Sequence, residues 1–88
     1  MHITVYSSPG CMPCFGTKRA LTKHGVPFTE VDVTTDPSAV EQITALDPEY
    51  KSTPVVVVLF DDGTIDHWHG LRDNKLQALA YLAAEAAV

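Results

Sequence analysis

An uninterrupted apolar run at residues 55–60, Val-Val-Val-Val-Leu-Phe, constrains the fold of this chain more than any other feature. Because the run does not alternate with polar residues, a strand here would be buried on both of its faces. A sheet with such a strand at its centre needs helices against both faces. Pro54 has no N–H to donate to a sheet, so it must stand at the start of that strand. We therefore predict an α/β sandwich.

Turn signals and hydrophobic periodicity divide the chain into elements in the order strand, helix, strand, helix, strand, strand, helix. The 88 residues suffice for one domain, which we assign to 1–88. The predicted strands cover 2–6, 28–33, 55–60 and 64–68, and the turn at 61–63 makes the last two an antiparallel hairpin. The predicted helices begin near Cys11, at Asp36-Pro37 and after Asp73, which we expect to cap the last helix, and the first ends at His24-Gly25. The apolar stripes of the last two helices are Val40, Ile43 and Leu46, and Leu76, Leu79, Ala80, Leu82 and Ala83.

Composition excludes several classes of protein. Apolar residues form 45% of the chain and the net charge is −5, which is typical of a compact fold and not of disorder. No apolar run approaches the ~20 residues that cross a bilayer, and no signal peptide is apparent, so we expect a cytoplasmic protein without a membrane partner. The only cations of residues 1–29, Lys18, Arg19 and Lys23, are too few for nucleic-acid binding. The six acids of residues 30–49 are interpreted as a solvated face.

Cys11 and Cys14 are the only cysteines of the chain. A disulfide between them closes too short a loop to stabilise the fold, so we interpret the pair as chemical in function. Between a first strand and a first helix, this spacing indicates a thiol-disulfide redox motif. The free amides and the positive dipole at the helix start favour the Cys11 thiolate as the attacking group. Cys14, one turn further in and more covered, is predicted to resolve the mixed disulfide, while Pro13 stiffens the loop between them.

Zinc sites also use this cysteine spacing, and four histidines are candidate ligands: His2, His24, His67 and His69. The chain has no second cysteine pair, and two of the histidines flank Trp68 instead of standing at zinc-knuckle spacing. We therefore predict no metal site, no cofactor besides the disulfide itself, and surface or polar-rim positions for the histidines. His69 is expected to lie nearest to the cysteines.

Thr53-Pro54 forms a second candidate site. A proline at the opening of a buried strand is compatible with a cis peptide bond, and also with an ordinary strand start. A bend at this point would expose the backbone amide and carbonyl of Thr53 to an extended, sulfur-bearing substrate. In combination with the cysteine motif, we interpret it as part of the site.

These motifs together resemble the thioredoxin superfamily, with the size and element order of a glutaredoxin. The segment Trp68-His69-Gly70-Leu71-Arg72 is similar to the Trp-x-Gly-Phe-Arg segment of the NrdH-type redoxins, and the resemblance covers almost the whole chain. It implies a thioredoxin-like fold of the glutaredoxin type, βαβαββα, with a four-stranded mixed sheet flanked by three helices. It also implies that Pro54 is a cis-proline and that the partner surface comprises Met12, Pro13, Thr53, Pro54, Trp68, His69, Gly70, Leu71 and Arg72.

By the same resemblance, the protein is a protein disulfide reductase. It would be reduced by thioredoxin reductase, would supply electrons to ribonucleotide reductase or other disulfide-bearing proteins, and would act as a monomer. Two alternatives stay open at this point. One is a glutathione-dependent glutaredoxin, and the other is a carrier that binds a metal or an iron-sulfur cluster through the cysteines.

Several positions depart from the family pattern. Pro13 stands where the family commonly has Gln, and Ser8 stands where a Lys often precedes the first cysteine by three residues. The Gly-Gly-x-Asp stretch with which glutaredoxins hold glutathione is absent, since Trp68 and His69 precede a single glycine. These departures predict a poor fit for glutathione and a flat aromatic surface at Trp68 for a protein reductase. The first strand also lacks the buried acid of thioredoxins, so the base for Cys14 is not identified.

Overall fold

The structure, a computed structural model, describes residues 1–86 and contains the predicted elements in the predicted order βαβαββα. The strands are β1 (His2–Ser7), β2 (Thr29–Asp32), β3 (Val55–Leu59) and β4 (Ile65–His69), and the helices are α1 (Met12–Lys23), α2 (Pro37–Leu46) and α3 (Asp73–Ala86). Within residues 1–86, no helix is both long enough and apolar enough to cross a membrane.

The four strands form one mixed sheet in the order β2-β1-β3-β4. β1 is parallel to β2 and antiparallel to β3, and β3 and β4 form the predicted antiparallel hairpin. Because Tyr6 pairs with Val55, the carboxyl end of β1 lies beside the amino end of β3. The segment that follows β1 and the Pro54 that precedes β3 therefore meet at one end of the sheet.

Side chains of β3 are buried on both faces of the sheet, as the apolar run predicts. Val56 and Val58 belong to the core beneath α1 and α3, together with Leu21, Leu76 and Leu79. On the opposite face, Val55 packs with Ala39 and Ile43 of α2. Two helices on one face and one on the other complete the thioredoxin-like α/β sandwich.

Helix α1 begins and ends at its predicted signals. Cys11 is the N-cap residue, with an extended backbone, and Pro13 lies in the first turn, where a missing N–H loses no helical hydrogen bond. His24 is the C-cap, and Gly25 follows with φ +67°, a left-handed conformation that favours glycine. The Cys-x-x-Cys motif therefore lies at the start of a helix with defined ends.

Helix α2 starts as predicted but faces the core with a different residue. Asp36 is its N-cap and accepts a hydrogen bond from the Ser38 N–H. The buried side chains are Ala39 and Ile43, four residues apart, whereas Val40 is 52% exposed. The prediction of Val40 in the apolar stripe was wrong because one residue turns the helix by ~100°, which moves Val40 away from β3.

Helix α3 also differs in detail from its prediction. Asp73 is the first helical residue and lies in the first turn, so it does not precede the helix as a cap. Leu76 and Leu79 are buried and Ala83 packs beside them, as predicted, but Leu82 is 42% exposed. The buried stripe of α3 is therefore narrower than the number of apolar residues in this helix suggests.

We expect Ile43→Ala to lower the free energy of unfolding by about 2 kcal/mol or more, because it opens a cavity between α2 and β3. Val40→Ala on the same helix is the matched control and should change it by less than about 0.5 kcal/mol, since Val40 is largely in solvent. Urea unfolding of both variants measures the difference. Equal losses would contradict the assignment of the buried face of α2.

Candidate functional site

Cys11 and Cys14 are joined by a disulfide at the start of α1. The Cys14 side chain is 1% exposed, whereas Cys11 is partly exposed. The helix explains the difference, because Cys14 belongs to the side of α1 that packs on the sheet with Thr17 and Leu21. A partner molecule can therefore reach the sulfur of Cys11 but not that of Cys14, in agreement with the predicted burial of the two residues.

Main-chain groups surround the sulfur of Cys11. The N–H of Cys14 donates a hydrogen bond to Cys11 Sγ at 3.2 Å, and the carbonyl oxygen of Thr53 lies 3.5 Å from the same sulfur. No acidic residue lies in the first turn of α1. Once the disulfide is reduced, a negative charge on Cys11 Sγ would face a backbone donor and the positive end of the helix dipole.

The segment before β3 is held against the cysteines by hydrogen bonds. The Thr53–Pro54 peptide bond is cis, as the resemblance implies. The hydroxyls of Ser8 and Thr53 are 2.6 Å apart, and the N–H of Gly70 donates to the carbonyl of Pro54 at 2.9 Å. Ser8 was noted in the sequence only as the replacement for a lysine. In the structure it connects the loop before Cys11 to the loop before β3.

Trp68 does not lie at the surface. Its side chain is 4% exposed, since it pairs with Val56 across β3 and β4 and points to the same core. Lys75 covers it, with Nζ 5.6 Å from the ring centroid. The expected flat aromatic surface at Trp68 was therefore wrong, because the register of β4 turns this residue inward. Within residues 1–86 its indole N–H has no hydrogen-bond partner.

The residues after Trp68 lie nearer to the surface. Gly70 has φ +85°, the conformation that permits its hydrogen bond to Pro54. Leu71 is 45% exposed and lies over Gly16 of α1, where a Cβ would be 3.2 Å from Leu71 Cδ2. Arg72 is exposed. Gly70 and Leu71 thus connect the end of β4 to the surroundings of Pro54 and α1.

Tyr50 connects two of the histidines that the sequence offered as zinc ligands. Its hydroxyl is 2.8 Å from His67 Nδ1, and its ring stacks on His69, whose Nε2 is 2.7 Å from the Ser52 hydroxyl. Burial raises the pKa of Tyr50, and the nearby carboxylates of Asp47 and Asp66 add to the effect. These contacts tie the loop before Thr53 to β4. No group of three His, Cys, Asp or Glu side chains suited to a metal occurs in the described part of the chain.

A depression in front of the disulfide is bordered by polar residues of β1, α1 and β2. The hydroxyl of Ser7 donates to the carboxylate of Glu30 at 2.7 Å, and Lys18 forms an ion pair with the same carboxylate. The hydrogen bonds from Lys18 and Ser7 lower the pKa of Glu30. From the sequence, Glu30 was interpreted as part of a solvated acidic face and not as a site residue; the parallel pairing of β1 and β2 brings it beside Ser7.

Three large apolar side chains near the cysteines are exposed. Met12 is 75% exposed, Phe15 57% and Leu71 45%. Met12 and Phe15 border the depression in front of the disulfide, and Leu71 packs over Gly16, one turn of α1 after Met12. Met12 and Leu71 were predicted to contact partners, whereas Phe15 was not singled out.

We expect Glu30→Gln to lower the free energy of unfolding at pH 7 by less than about 1 kcal/mol, because solvent screens a half-exposed ion pair. The pKa of Glu30 is lower in the folded chain than its ordinary value of 4.5, so its contribution is present above that pH and is lost as the pH falls. The gap to wild type should therefore narrow as the pH falls below 4.5. Urea unfolding at several pH values tests this, with Glu41→Gln as the control for loss of one charge. A gap that persists at low pH would contradict the ion pair.

Known proteins resemble this chain along most of its length. A family model described as Glutaredoxin matches residues 3–62. The glutaredoxin-like protein NrdH of Escherichia coli (strain K12) is 32% identical over 79 residues, which cover 90% of this chain and 89% of that protein. The gene 56 protein of Mycobacterium phage L5 is 44% identical over 55 residues, 62% of this chain, and the match spans about half of that protein (52%).

Solved structures agree with the sequence relatives. The NrdH-redoxin of Escherichia coli has a TM-score of 0.75 and 32% identity, over 90% of this chain and 95% of that chain. The residues matched by the family model include Cys11, Cys14 and Pro54. A Cys-x-x-Cys disulfide at the start of a helix, on this fold, is the site of a thiol-disulfide oxidoreductase. The chain therefore belongs to the glutaredoxin family, within which it is a glutaredoxin-like protein of the NrdH type.

Proposed function

We propose that the protein reduces disulfides of other proteins by dithiol exchange. The observation that carries the proposal is the contrast between the two cysteines, since Cys11 is accessible while Cys14 is buried one turn further along α1. The Cys11 thiolate attacks one sulfur of the partner's disulfide, forms a mixed disulfide and releases the other partner sulfur. Cys14 loses its proton and attacks Cys11, which releases the second partner sulfur. The partner gains two electrons and two protons, and Cys11–Cys14 is left oxidised.

The surroundings of Cys11 support this direction of attack. The Cys14 N–H that donates to Cys11 Sγ can stabilise a thiolate, and the buried Cys14 sulfur can reach only the sulfur to which it is adjacent. The Thr53 carbonyl, 3.5 Å from Cys11 Sγ, offers an acceptor to the backbone of an extended partner segment. The exposed Met12 and Leu71 provide apolar contacts on the first two turns of α1.

A second protein must return electrons to the oxidised disulfide. We propose thioredoxin reductase as the donor, and ribonucleotide reductase among the acceptors, in the cytoplasm and with the protein acting as a monomer. The similarity to proteins named NrdH supports these partners, and the solved Escherichia coli NrdH-redoxin is described as having a thioredoxin-like activity profile. Ser8 and the single Gly70, in place of a lysine and a Gly-Gly pair, argue against a glutathione site.

We expect Cys14→Ser to form a stable mixed disulfide with a protein disulfide substrate, because the attack by Cys11 is intact and the resolving thiol is missing. Cys11→Ser should lose disulfide reduction altogether and trap nothing. Mass spectrometry under non-reducing conditions measures the adducts, with wild-type protein as the control that turns over without accumulating one. Trapping by Cys11→Ser but not by Cys14→Ser would show that the roles are reversed.

We expect thioredoxin reductase with NADPH to reduce the protein at least about tenfold faster than glutathione does, a ratio that corresponds to about 1.4 kcal/mol. Met12→Ser should slow the reaction with the reductase about threefold to tenfold, since it removes an exposed apolar contact beside Cys11. Tyr81→Ser is the matched control, because Tyr81 is 66% exposed on α3. Consumption of NADPH measures both reactions.

Two outcomes would redirect the proposal. Turnover with glutathione as fast as with the reductase would favour a glutathione-dependent glutaredoxin. A stoichiometric amount of zinc, or an iron-sulfur absorption band in the purified protein, would favour a metal or cluster carrier. A metal assay and an ultraviolet-visible spectrum of the same preparation distinguish these alternatives.

A further inference from the structure

One side of α1 continues from the reactive sulfur along the surface of the molecule. Residues at intervals of three or four share one side of a helix, so a stripe runs from Cys11 through Phe15, Lys18 and Thr22. The residues of α1 that pack on the sheet are different ones, Cys14, Thr17 and Leu21. The stripe from Cys11 therefore points away from the core and is available to a second molecule.

A shallow groove follows this stripe, and we name it the α1 groove: Phe15, Lys18, Arg19, Thr22 and Lys23. Phe15 and Lys18 also border the depression in front of the disulfide. Phe15 and Lys18 thus border both surfaces, and a partner segment that leaves Cys11 can reach the α1 groove over Phe15.

The α1 groove is positively charged on a protein that is negative overall. The chain has six basic and eleven acidic residues, yet three cations and no acid line the α1 groove within residues 1–86. Lys18 is paired with Glu30. Arg19 and Lys23 are exposed, and neither forms an ion pair with any residue from 1 to 86. Their charges are therefore not neutralised within the described protein.

We propose that the α1 groove docks an acidic segment adjacent to the reactive cysteine of the partner protein. The inference rests on the proposed function, because it specifies the substrates of the same disulfide exchange. The protein has a net charge of −5, so most of its surface repels an acidic segment, whereas Arg19 and Lys23 attract it. Charge thus orients the partner so that its cysteine meets Cys11.

Helix geometry gives the spacing of the matching residues. With a rise of ~1.5 Å per residue, Phe15, Arg19 and Lys23 follow Cys11 by about 6, 12 and 18 Å along the helix axis, and each step of four residues also turns ~40° around α1. An extended partner chain advances ~3.3 Å per residue, so the corresponding positions are about two, four and six residues from its cysteine. Positions two apart lie on the same face of an extended chain. The partner motif is therefore a cysteine with an apolar residue about two positions away and acidic residues about four and six positions away.

Synthetic peptides with one internal disulfide test the proposal. In each peptide, Leu stands two residues beyond the nearer cysteine. The residues four and six positions beyond that cysteine are both Glu, both Gln or both Lys. One series extends on the amino side of the disulfide and the other on the carboxyl side. The second-order rate of oxidation of the fully reduced protein is followed by acid quenching, thiol alkylation and mass spectrometry. Ionic strengths of about 0.01 M and 1 M set Debye lengths of about 30 and 3 Å.

In one of the two series, we expect the Glu peptide to react about threefold to tenfold faster than the Gln peptide at low ionic strength, as for two exposed ion pairs. The Lys peptide should be slower than both, and all ratios should approach one at high salt. The double variant Arg19→Gln/Lys23→Gln should bring the ratio of the Glu rate to the Gln rate down to one or below. Lys51→Gln, which removes an exposed cation outside the α1 groove, should retain the advantage.

The sign of the effect separates local docking from overall charge. A net charge of −5 alone predicts that the Glu peptide reacts more slowly than the Gln peptide. Equal or slower reaction of Glu peptides in both series would overturn the docking proposal and leave the proposed function intact. The same conclusion would follow if Lys51→Gln reduced the ratio of the Glu rate to the Gln rate as much as the double variant does. Failure to oxidise the reduced protein with any peptide would overturn the proposed function as well.

Discussion

Burial of β3 on both faces is the constraint on which the rest of the structure depends. Val55 and Val56 point to opposite faces and are both fully buried, so α2 must cover one face and α1 with α3 the other. The antiparallel pairing of β1 with β3 then brings the start of α1 to the end of the sheet at which β3 begins. Cys11 and Thr53 consequently meet, although 42 positions separate them. The burial that stabilises the fold also assembles the redox site.

Apolar and charged side chains both surround the disulfide. Exposed Met12 and Leu71 can exclude water from a contact with a partner, and the ion pair of Lys18 and Glu30 borders the same depression as Met12. Cys14 is buried one turn into α1. The proposed order in which the two thiols react follows from this difference in burial, and no chemical difference between the residues themselves is needed.

Local signals in the sequence predicted the helices and strands, the position of the two cysteines at a helix start and the strand opening at Pro54. Each of these signals acts within one turn or one strand. Contacts between distant segments were not predictable in this way. The hydrogen bond of Ser8 with Thr53 joins residues 45 positions apart, and no local pattern encodes it. The burial of Trp68 was not predicted because the alternation of side chains along a strand separates its two faces but does not show which face is buried. Only the pairing of Trp68 with Val56 identifies it.

The hydrogen bond from Gly70 to Pro54 joins main-chain atoms only. Its geometry therefore depends on the backbone at residue 70 and not on the exposed side chain of Arg72. A substitution at residue 72 changes what the rim of the site presents while the main-chain bond to Pro54 is retained. The surface that a partner meets can therefore change through a single codon without a change in the backbone that holds Pro54.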